Sequence, residues 1–444
     1  MSANIKKTVA LITMGCAKNL VDSEVMLGFL RRAGYNFVQR PGQAEVLILN
    51  TCGFIGPAKE EAEQAIGKAV RQKKGKPEKR VVVAGCYVQR YGQELAQRYP
   101  EVDAWLGVAD FDKIVPAVEG RDFRRGSRTF LCSHTTPRVV STPRSWAYLK
   151  ISEGCSHRCS FCAIPLIKGP YRSRAVASIV KEAEELAANG VKEINLVSQD
   201  STNFGRDLGG GAGLAGLLLR LVEIPRIRWI RVLYGYPEEI TEPLLEVMGE
   251  EKICPYIDIP FQHSDSRILR LMKRSMDGKR GLALVDRIRR RLPDIALRTT
   301  LIVGFPGEGP REFAALKDFV RAARFDHLGV FTYSPEESTA AFPLGNPVPE
   351  PEKQKRRDEI MLLQARISES ILRKYLNRRL DVLLDGPGGK DGKTITGRTR
   401  FQAPEVDGVV RIGTDTVAGR PLRAIEKVEI TGTGVYDLRG KLAR

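Results

Sequence analysis

The chain has 444 residues, enough for two or three domains with cores of their own. Its 71 Lys and Arg against 53 Asp and Glu give a formal net charge of +18, which suits a polyanionic neighbour such as RNA without requiring one. It contains no apolar run of about eighteen residues, and its start, Met1-Ser-Ala-Asn-Ile-Lys-Lys7, lacks the apolar stretch of a secretory signal. No membrane partner and a cytoplasmic location are therefore expected, and in that compartment eight cysteines point to metal rather than to disulfides.

Three apolar runs come first, each ending in cysteine: Val9-Ala-Leu-Ile-Thr-Met-Gly-Cys16, Val46-Leu-Ile-Leu-Asn-Thr-Cys52 and Val81-Val-Val-Ala-Gly-Cys86. Each reads as a buried parallel strand, and helical patterns over Asn19–Ala33 and Ala58–Lys73 follow the first two. Cys16, Cys52 and Cys86 would then stand at the carboxyl ends of neighbouring strands in an open parallel α/β sheet, the edge where such sheets bind ligands. One such thiol is ordinary core packing; three at corresponding ends are candidate metal ligands. This first domain is expected over 1–120. Residues 121–145, which follow the basic Gly120-Arg-Asp-Phe-Arg-Arg-Gly-Ser-Arg128 with a stretch rich in Thr, Pro and Arg, read as an exposed linker.

Within 146–350, Cys155-Ser-His-Arg-Cys159-Ser-Phe-Cys162 packs three thiols into eight residues. Such a set can hold a four-iron cluster and leave its fourth iron without a protein ligand. A structural zinc is the competing reading, but it needs a fourth ligand, and His157, the only nearby candidate, lies inside the loop. Cys132 and Cys254 read as spare buried thiols. Strand candidates at 147–151, 193–197, 229–233, 256–259, 296–303 and 327–331 alternate with helical patterns at 176–189, 213–223, 239–249, 265–273, 280–291 and 310–324. Repeated βα steps in one direction specify a parallel sheet curving into a partial barrel, with its site at the carboxyl strand ends. Those ends carry polar groups: Ser198-Gln199-Asp200, Tyr234-Gly-Tyr-Pro237, Gln262-His263-Ser264 and Gly304-Phe-Pro306-Gly307-Glu308. The glycines of the last turn would let backbone approach a ligand. His263 reads as a hydrogen-bonded structural histidine. Arg172 and Arg174, close behind the cysteine loop, are candidates to neutralise a ligand carboxylate or the cluster.

A basic connecting helix is expected over 351–379. Short β-branched pieces at 380–384, 394–397, 408–412 and 425–431, separated by Gly and Asp turns, then predict a small antiparallel β-barrel over 380–444. That tail holds eleven Lys or Arg against nine Asp or Glu, a net of +2, less basic than an RNA-gripping module.

The cysteine loop, with aromatic Phe161 before its last Cys, resembles the signature of radical S-adenosylmethionine (SAM) enzymes. The whole chain resembles the methylthiotransferases of that superfamily, with an N-terminal cluster domain, a radical SAM core and a C-terminal TRAM domain. Met14-Gly-Cys16-Ala-Lys-Asn19-Leu-Val-Asp22-Ser-Glu24, Tyr234-Gly-Tyr-Pro237, Asp258-Ile-Pro-Phe-Gln-His263, Val330-Phe-Thr-Tyr-Ser-Pro-Glu-Glu337 and Ala403-Pro-Glu-Val-Asp-Gly408 are similar to the members that modify an aspartate of small-subunit ribosomal protein twelve, more than to those that modify tRNA adenosine. Ala17, Ser338 and Gln402 depart from that pattern.

The resemblance implies two four-iron four-sulfur clusters, one on Cys155, Cys159 and Cys162 and one on Cys16, Cys52 and Cys86. It also implies SAM, a low-potential electron donor, a sulfur donor, and a protein substrate met free or on the ribosome with ribosomal RNA nearby. A general base cannot remove hydrogen from an unactivated carbon, so a radical from SAM would do so, and sulfur from the second cluster would fill the position. No catalytic residue beyond the cluster ligands is expected. Phe161, Arg172, Arg174, Ser198, Gln199, Asp200, Gly304, Pro306, Gly307 and Glu308 are the expected cofactor contacts. Glu405 and Asp407 are expected to meet the basic protein substrate.

Overall fold

The computed structural model describes residues 7–124, 126, 130–209, 213–388, 393–414 and 422–443. The apolar runs that open the chain leave no polar face, so each forms a strand covered on both sides. β1 (Thr8–Thr13), α1 (Ala17–Arg32), β2 (Asn36–Phe37), β3 (Val46–Thr51), α2 (Gly56–Lys73), β4 (Arg80–Gly85), α3 (Cys86–Arg98), β5 (Ala104–Leu106) and α4 (Ile114–Glu119) build a parallel sheet in the order β2-β1-β3-β4-β5. Val9, Ile48 and Val82 pack on one face and Ala10, Leu47 and Val83 on the other.

Of the expected exposed linker, Arg125 and Arg128 lie outside the described residues. The rest does not run free. Arg138 is buried in ion pairs with Glu24 at 2.6 Å and Glu182 at 2.7 Å, and the Val139 N–H donates to the Glu24 carbonyl. Composition marked this stretch as solvated; its long-range carboxylate partners are invisible to composition.

The central region continues with β6 (Trp146–Lys150), β7 (Ser152–Glu153), α5 (Ile164–Lys168), β8 (Arg172–Ser173), α6 (Val176–Ala188), β9 (Glu193–Val197), α7 (Gly213–Val222), β10 (Trp229–Val232), α8 (Glu242–Val247), β11 (Tyr256–Asp258), α9 (Ser266–Leu271), α10 (Gly278–Arg291), β12 (Ala296–Val303), α11 (Pro310–Ala323) and β13 (His327–Thr332). Two parallel sheets, β10-β9-β6 and β11-β12-β13, meet where Ile230 pairs with Ile253. Side chains alternate as strand geometry requires. Ala147, Leu149, Ile194, Leu196 and Ile257 pack outward against helices, whereas Trp146, Tyr148, Trp229 and Tyr256 turn inward.

α12 (Glu350–Leu372) is more than a connector. It packs along β13, donating from Lys353 Nζ to the Tyr333 carbonyl at 2.6 Å and from Gln364 to the Phe325 carbonyl at 2.6 Å. β14 (Arg379–Gly388), β15 (Thr394–Arg398), β16 (Val410–Gly413), β17 (Ile425–Thr433) and β18 (Leu438–Leu442) close into a barrel in the order β14-β15-β16-β18-β17. It is not wholly antiparallel, because β16 and β18 run parallel. This small barrel seats against the amino ends of the central strands: Arg398 pairs with Glu193 at 2.8 Å, Arg231 donates to the Arg400 carbonyl at 2.8 Å, and Leu383 and Ala403 join the inward aromatic cluster.

Candidate active site

Cys155, Cys159 and Cys162 lie in the loop between β7 and α5, at the carboxyl side of β6. Backbone bonds tether it: Cys155 N–H donates to the Gly169 carbonyl, Ser160 N–H to the Met272 carbonyl, and Ala341 N–H to the Ser160 carbonyl. Gly154, at φ +82°, stands where a Cβ would meet the Pro170 carbonyl oxygen at 2.2 Å, so only glycine fits the turn into the loop. Phe161 packs against the cluster of Ile268, Leu269, Met272, Phe305 and Tyr333 and so anchors the loop's apolar side.

Burial pushes the Cys155 thiol up to about 11 and Cys162 up to about 12, and neighbouring loop thiols add to both shifts. A loop of three thiols suits a cationic iron centre, whose binding requires thiolates and releases their protons. Among the described residues, no three His, Cys, Asp or Glu side chains close on a single metal ion. His157 is turned away from such a role: its ring stacks on Tyr236 at 3.8 Å and its Nε2 meets Asp200 at 2.6 Å. The other face of the site holds Arg274, stacked on Tyr236 at 3.9 Å and donating to Cys159 Sγ at 3.7 Å. Sequence reading missed Arg274 because it comes from the segment after α9, more than one hundred residues beyond the loop it serves.

Cys16, Cys52 and Cys86 follow β1, β3 and β4, three adjacent strands. Asn19, wholly buried, braces the three ends: its Nδ2 donates to the Met14 carbonyl at 3.1 Å and the Thr51 carbonyl at 3.3 Å, and its Oδ1 accepts from Cys86 Sγ at 3.6 Å. At Gly15, φ +95°, a Cβ would stand 2.9 Å from Cys52 Cβ, so the strand ends approach as closely as backbone allows. Burial raises Cys52 to about 11 and Cys86 to about 12, with neighbouring thiols adding to each. This donor set has the same character as the loop set.

α1, which begins beside Cys16, fixes the first domain over the barrel mouth. Asp22 pairs with Lys150 and, at 3.0 Å, with Lys168; Glu153 takes Lys150 at 2.9 Å and accepts from Gln199 at 2.7 Å. Burial alone would lower the Lys150 pKa, but Asp22 and then Glu153 outweigh it and raise it. A second clasp stands on Glu336, buried between Lys59 at 3.0 Å and Arg90 at 2.7 Å. Asp22→Asn strips one charge from a buried group of four and is expected to destabilise the protein by about 3 kcal/mol, the scale for breaking a buried ion pair. A lowered denaturant midpoint with unchanged far-ultraviolet circular dichroism checks this.

The expected cofactor contacts are largely engaged within the chain. Arg174 is buried on Glu182 at 2.6 Å and the Lys150 carbonyl at 2.6 Å. Asp200 accepts from the Thr202 N–H at 3.0 Å as well as meeting His157, and Ser198 bonds to Ser201 at 3.1 Å. Glu308 accepts from the Gly304 N–H, from Arg356 at 2.7 Å and faces His263 at 3.2 Å. Gly304 is packed under Lys353, whose Cγ would lie 2.3 Å from a Cβ there; Pro306 is buried and Gly307 is exposed. Gln199 Oε1 is buried without a partner, and Arg172 is half-buried on β8, paired across the strands with Glu153.

The Asp407 side chain is buried against the chain, whereas Glu405 is exposed, both at the barrel's amino end. Glu405 accepts from Tyr148 OH at 2.8 Å; Asp407 accepts from Tyr256 OH at 2.7 Å and lies 3.5 Å from both Arg298 and His327. Their turn thus joins the small barrel to the central one. Asp407→Ala should loosen that joint by about 2 kcal/mol, the scale of a lost hydrogen bond to a charged group, and limited proteolysis should release the tail faster.

A partial parallel barrel with three thiols on the loop after its first strand defines a radical SAM enzyme, which works with an iron–sulfur cluster and SAM. Sequence profiles agree: Uncharacterized protein family UPF0004 matches residues 8–107, the Radical SAM superfamily 149–320 and the TRAM domain 378–442. Ribosomal protein uS12 methylthiotransferase RimO of Syntrophotalea carbinolica is 44% identical over 444 residues, spanning 98% of this chain and 97% of that protein. The protein of the same name from Aquifex aeolicus is 44% identical over 436 residues, spanning 98% and 96%. The chain belongs to the RimO family of methylthiotransferases. Its fold is shared with the radical SAM methyltransferase TsrM of Kitasatospora setae, solved with cobalamin and a [4Fe-4S] cluster, at a TM-score of 0.55, with 17% identity over 76% of this chain and 77% of that one.

Proposed function

We propose that this chain methylthiolates the β-carbon of an aspartate in ribosomal protein uS12, using SAM and two four-iron clusters held on Cys155, Cys159, Cys162 and on Cys16, Cys52, Cys86. The observation that carries the reading is the pair of three-thiol sets on facing domains, in a chain 44% identical to a uS12 methylthiotransferase across almost its full length. When bound, the loop cluster would supply the electron that cleaves SAM and the strand-end cluster would hold the sulfur to be transferred.

The chain's residues do the rest. Arg274 offers a cation to Cys159, an arrangement that favours added negative charge at the loop site. Asn19 keeps three strand ends in register for their thiols. Asp22, Glu153 and the two lysines tie together the two domains that carry the sets. A low-potential electron donor and a sulfur donor are required partners. A cytoplasmic location fits the substrate, and no described helix is long and apolar enough to cross a membrane.

The deciding experiment is intact-mass analysis of uS12 from cells with and without this gene. Gain of one methylthio group only when the gene is present is expected. An unchanged uS12 mass, with methylthio-adenosine instead lost from tRNA in the deletion, would overturn the protein substrate.

A further inference from the structure

Lys18 stands in the first turn of α1, two residues beyond Cys16, and no carboxylate among the described residues pairs with it. Its amine sits 3.3 Å above the centre of the Tyr234 ring, at the carboxyl end of β10. The carboxylates around it are committed elsewhere. Asp258 is paired with Arg298 at 3.1 Å and accepts the Tyr234 N–H at 3.1 Å; Asp22 is taken by two lysines and Glu24 by Arg138. Among the described residues Lys18 makes no ion pair with a carboxylate; the groups it faces are the Tyr234 side chain and the Cys16 thiol.

Two further features point to a ligand there. Tyr234 is held at φ +63°, a conformation that a bulky residue adopts only under constraint and that concentrates at functional positions. On the barrel's inner face, Asn195 is wholly buried, and both its amide oxygen and its amide nitrogen lack partners. It lies in register between Tyr148 on β6 and Arg231 on β10. Tyr148, Tyr234, Ala17 and Val21 belong to one packed cluster, and Asn195 pairs in register with Tyr148 of that cluster. Unpaired buried polar groups are costly. A bound group that is anionic and accepts hydrogen bonds would take up the Lys18 ammonium and the Asn195 amide nitrogen.

We infer that Lys18 is the receptor for the side-chain carboxylate of the acceptor aspartate, with the Asn195 amide as a second contact. The inference rests on the reading of uS12 as substrate and adds a residue to it. Its chemistry suits the reaction: the carbon to be modified is bonded directly to the carboxylate carbon, so a cation that grips the carboxylate fixes the reacting atom within one bond. Lys18 does this beside Cys16, from which the sulfur set begins. An asparagine at the acceptor position would offer no negative charge and would be rejected.

The test is equilibrium binding of two uS12 loop peptides, one with Asp and one with Asn at the acceptor position, to reconstituted enzyme with SAM, followed by fluorescence anisotropy. Wild-type enzyme should prefer the Asp peptide by roughly ten- to a hundredfold, the range for a hydrogen bond to a charged group. Lys18→Met should collapse that ratio to near one by weakening only the Asp peptide, and Lys18→Arg should restore most of it. Equal weakening of both peptides by Lys18→Met, or an undiminished ratio, overturns the role. Wild-type enzyme that binds the Asp peptide and modifies it without preferring it over Asn also overturns it, while leaving uS12 as the substrate. Wild-type enzyme that binds neither peptide and modifies no uS12 sinks the functional reading, and the lysine's role falls with it.

Discussion

Replacing Cys155, Cys159 and Cys162 together by alanine is expected to abolish reductive cleavage of SAM and to remove about half of the iron, four atoms of about eight if both clusters are of the four-iron type. The loop should survive this change. Its path is set by backbone bonds to Gly169, Met272 and Ala341 and by the packing of Phe161, none of which uses a thiol. Iron and sulfide assay, electron paramagnetic resonance of the reduced protein and chromatography of deoxyadenosine together check the outcome. Deoxyadenosine formation at the wild-type rate in the triple variant would remove these cysteines from the SAM site.

Replacing Cys16, Cys52 and Cys86 by alanine is expected to separate the two halves of the reaction the other way. Deoxyadenosine should still form while methylthio product falls below detection, because these thiols belong to the first domain and the loop set belongs to the barrel. Cys86 donates to Asn19, but the brace keeps its bonds to the Met14 and Thr51 carbonyls without that thiol. The variant should therefore fold and retain about half of its iron. Product formation in this variant would make the strand-end cysteines structural thiols.

The two thiol sets were legible because both are written locally: a three-cysteine spacing in one case, and cysteine at the end of an apolar run in the other. The alternation of strands and helices in the centre was legible for the same reason. The surroundings of the sites were not. Glu308 and Asp200 read as open polar groups at strand ends, yet Glu308 bonds to Arg356, 48 residues on, and Asp200 meets His157, 43 residues back. Such pairings depend on which elements the fold brings together, and no periodicity encodes them. Arg138 in the supposed linker misleads in the same way, since charge suggested solvent where the fold supplies a partner; Asp407 likewise has partners within the chain. β18 escaped notice because Leu438-Arg-Gly-Lys-Leu442 has one apolar side chain at each end and a glycine in the middle, too thin a pattern to mark a strand.

One helix does much to set the gap between the domains of this enzyme. α1 carries Cys16 at its start, and within two turns it sinks Asp22 and Glu24 into ion pairs with groups on the barrel side. Swinging the domains apart would break these pairs and uncover the apolar contacts of Ala17 and Val21 with the barrel, so the clearance between the thiol sets behaves as a fixed gauge rather than a jaw. A gap held by buried ion pairs on both sides favours an acceptor side chain carried on a protruding loop over one lying flat on a protein surface.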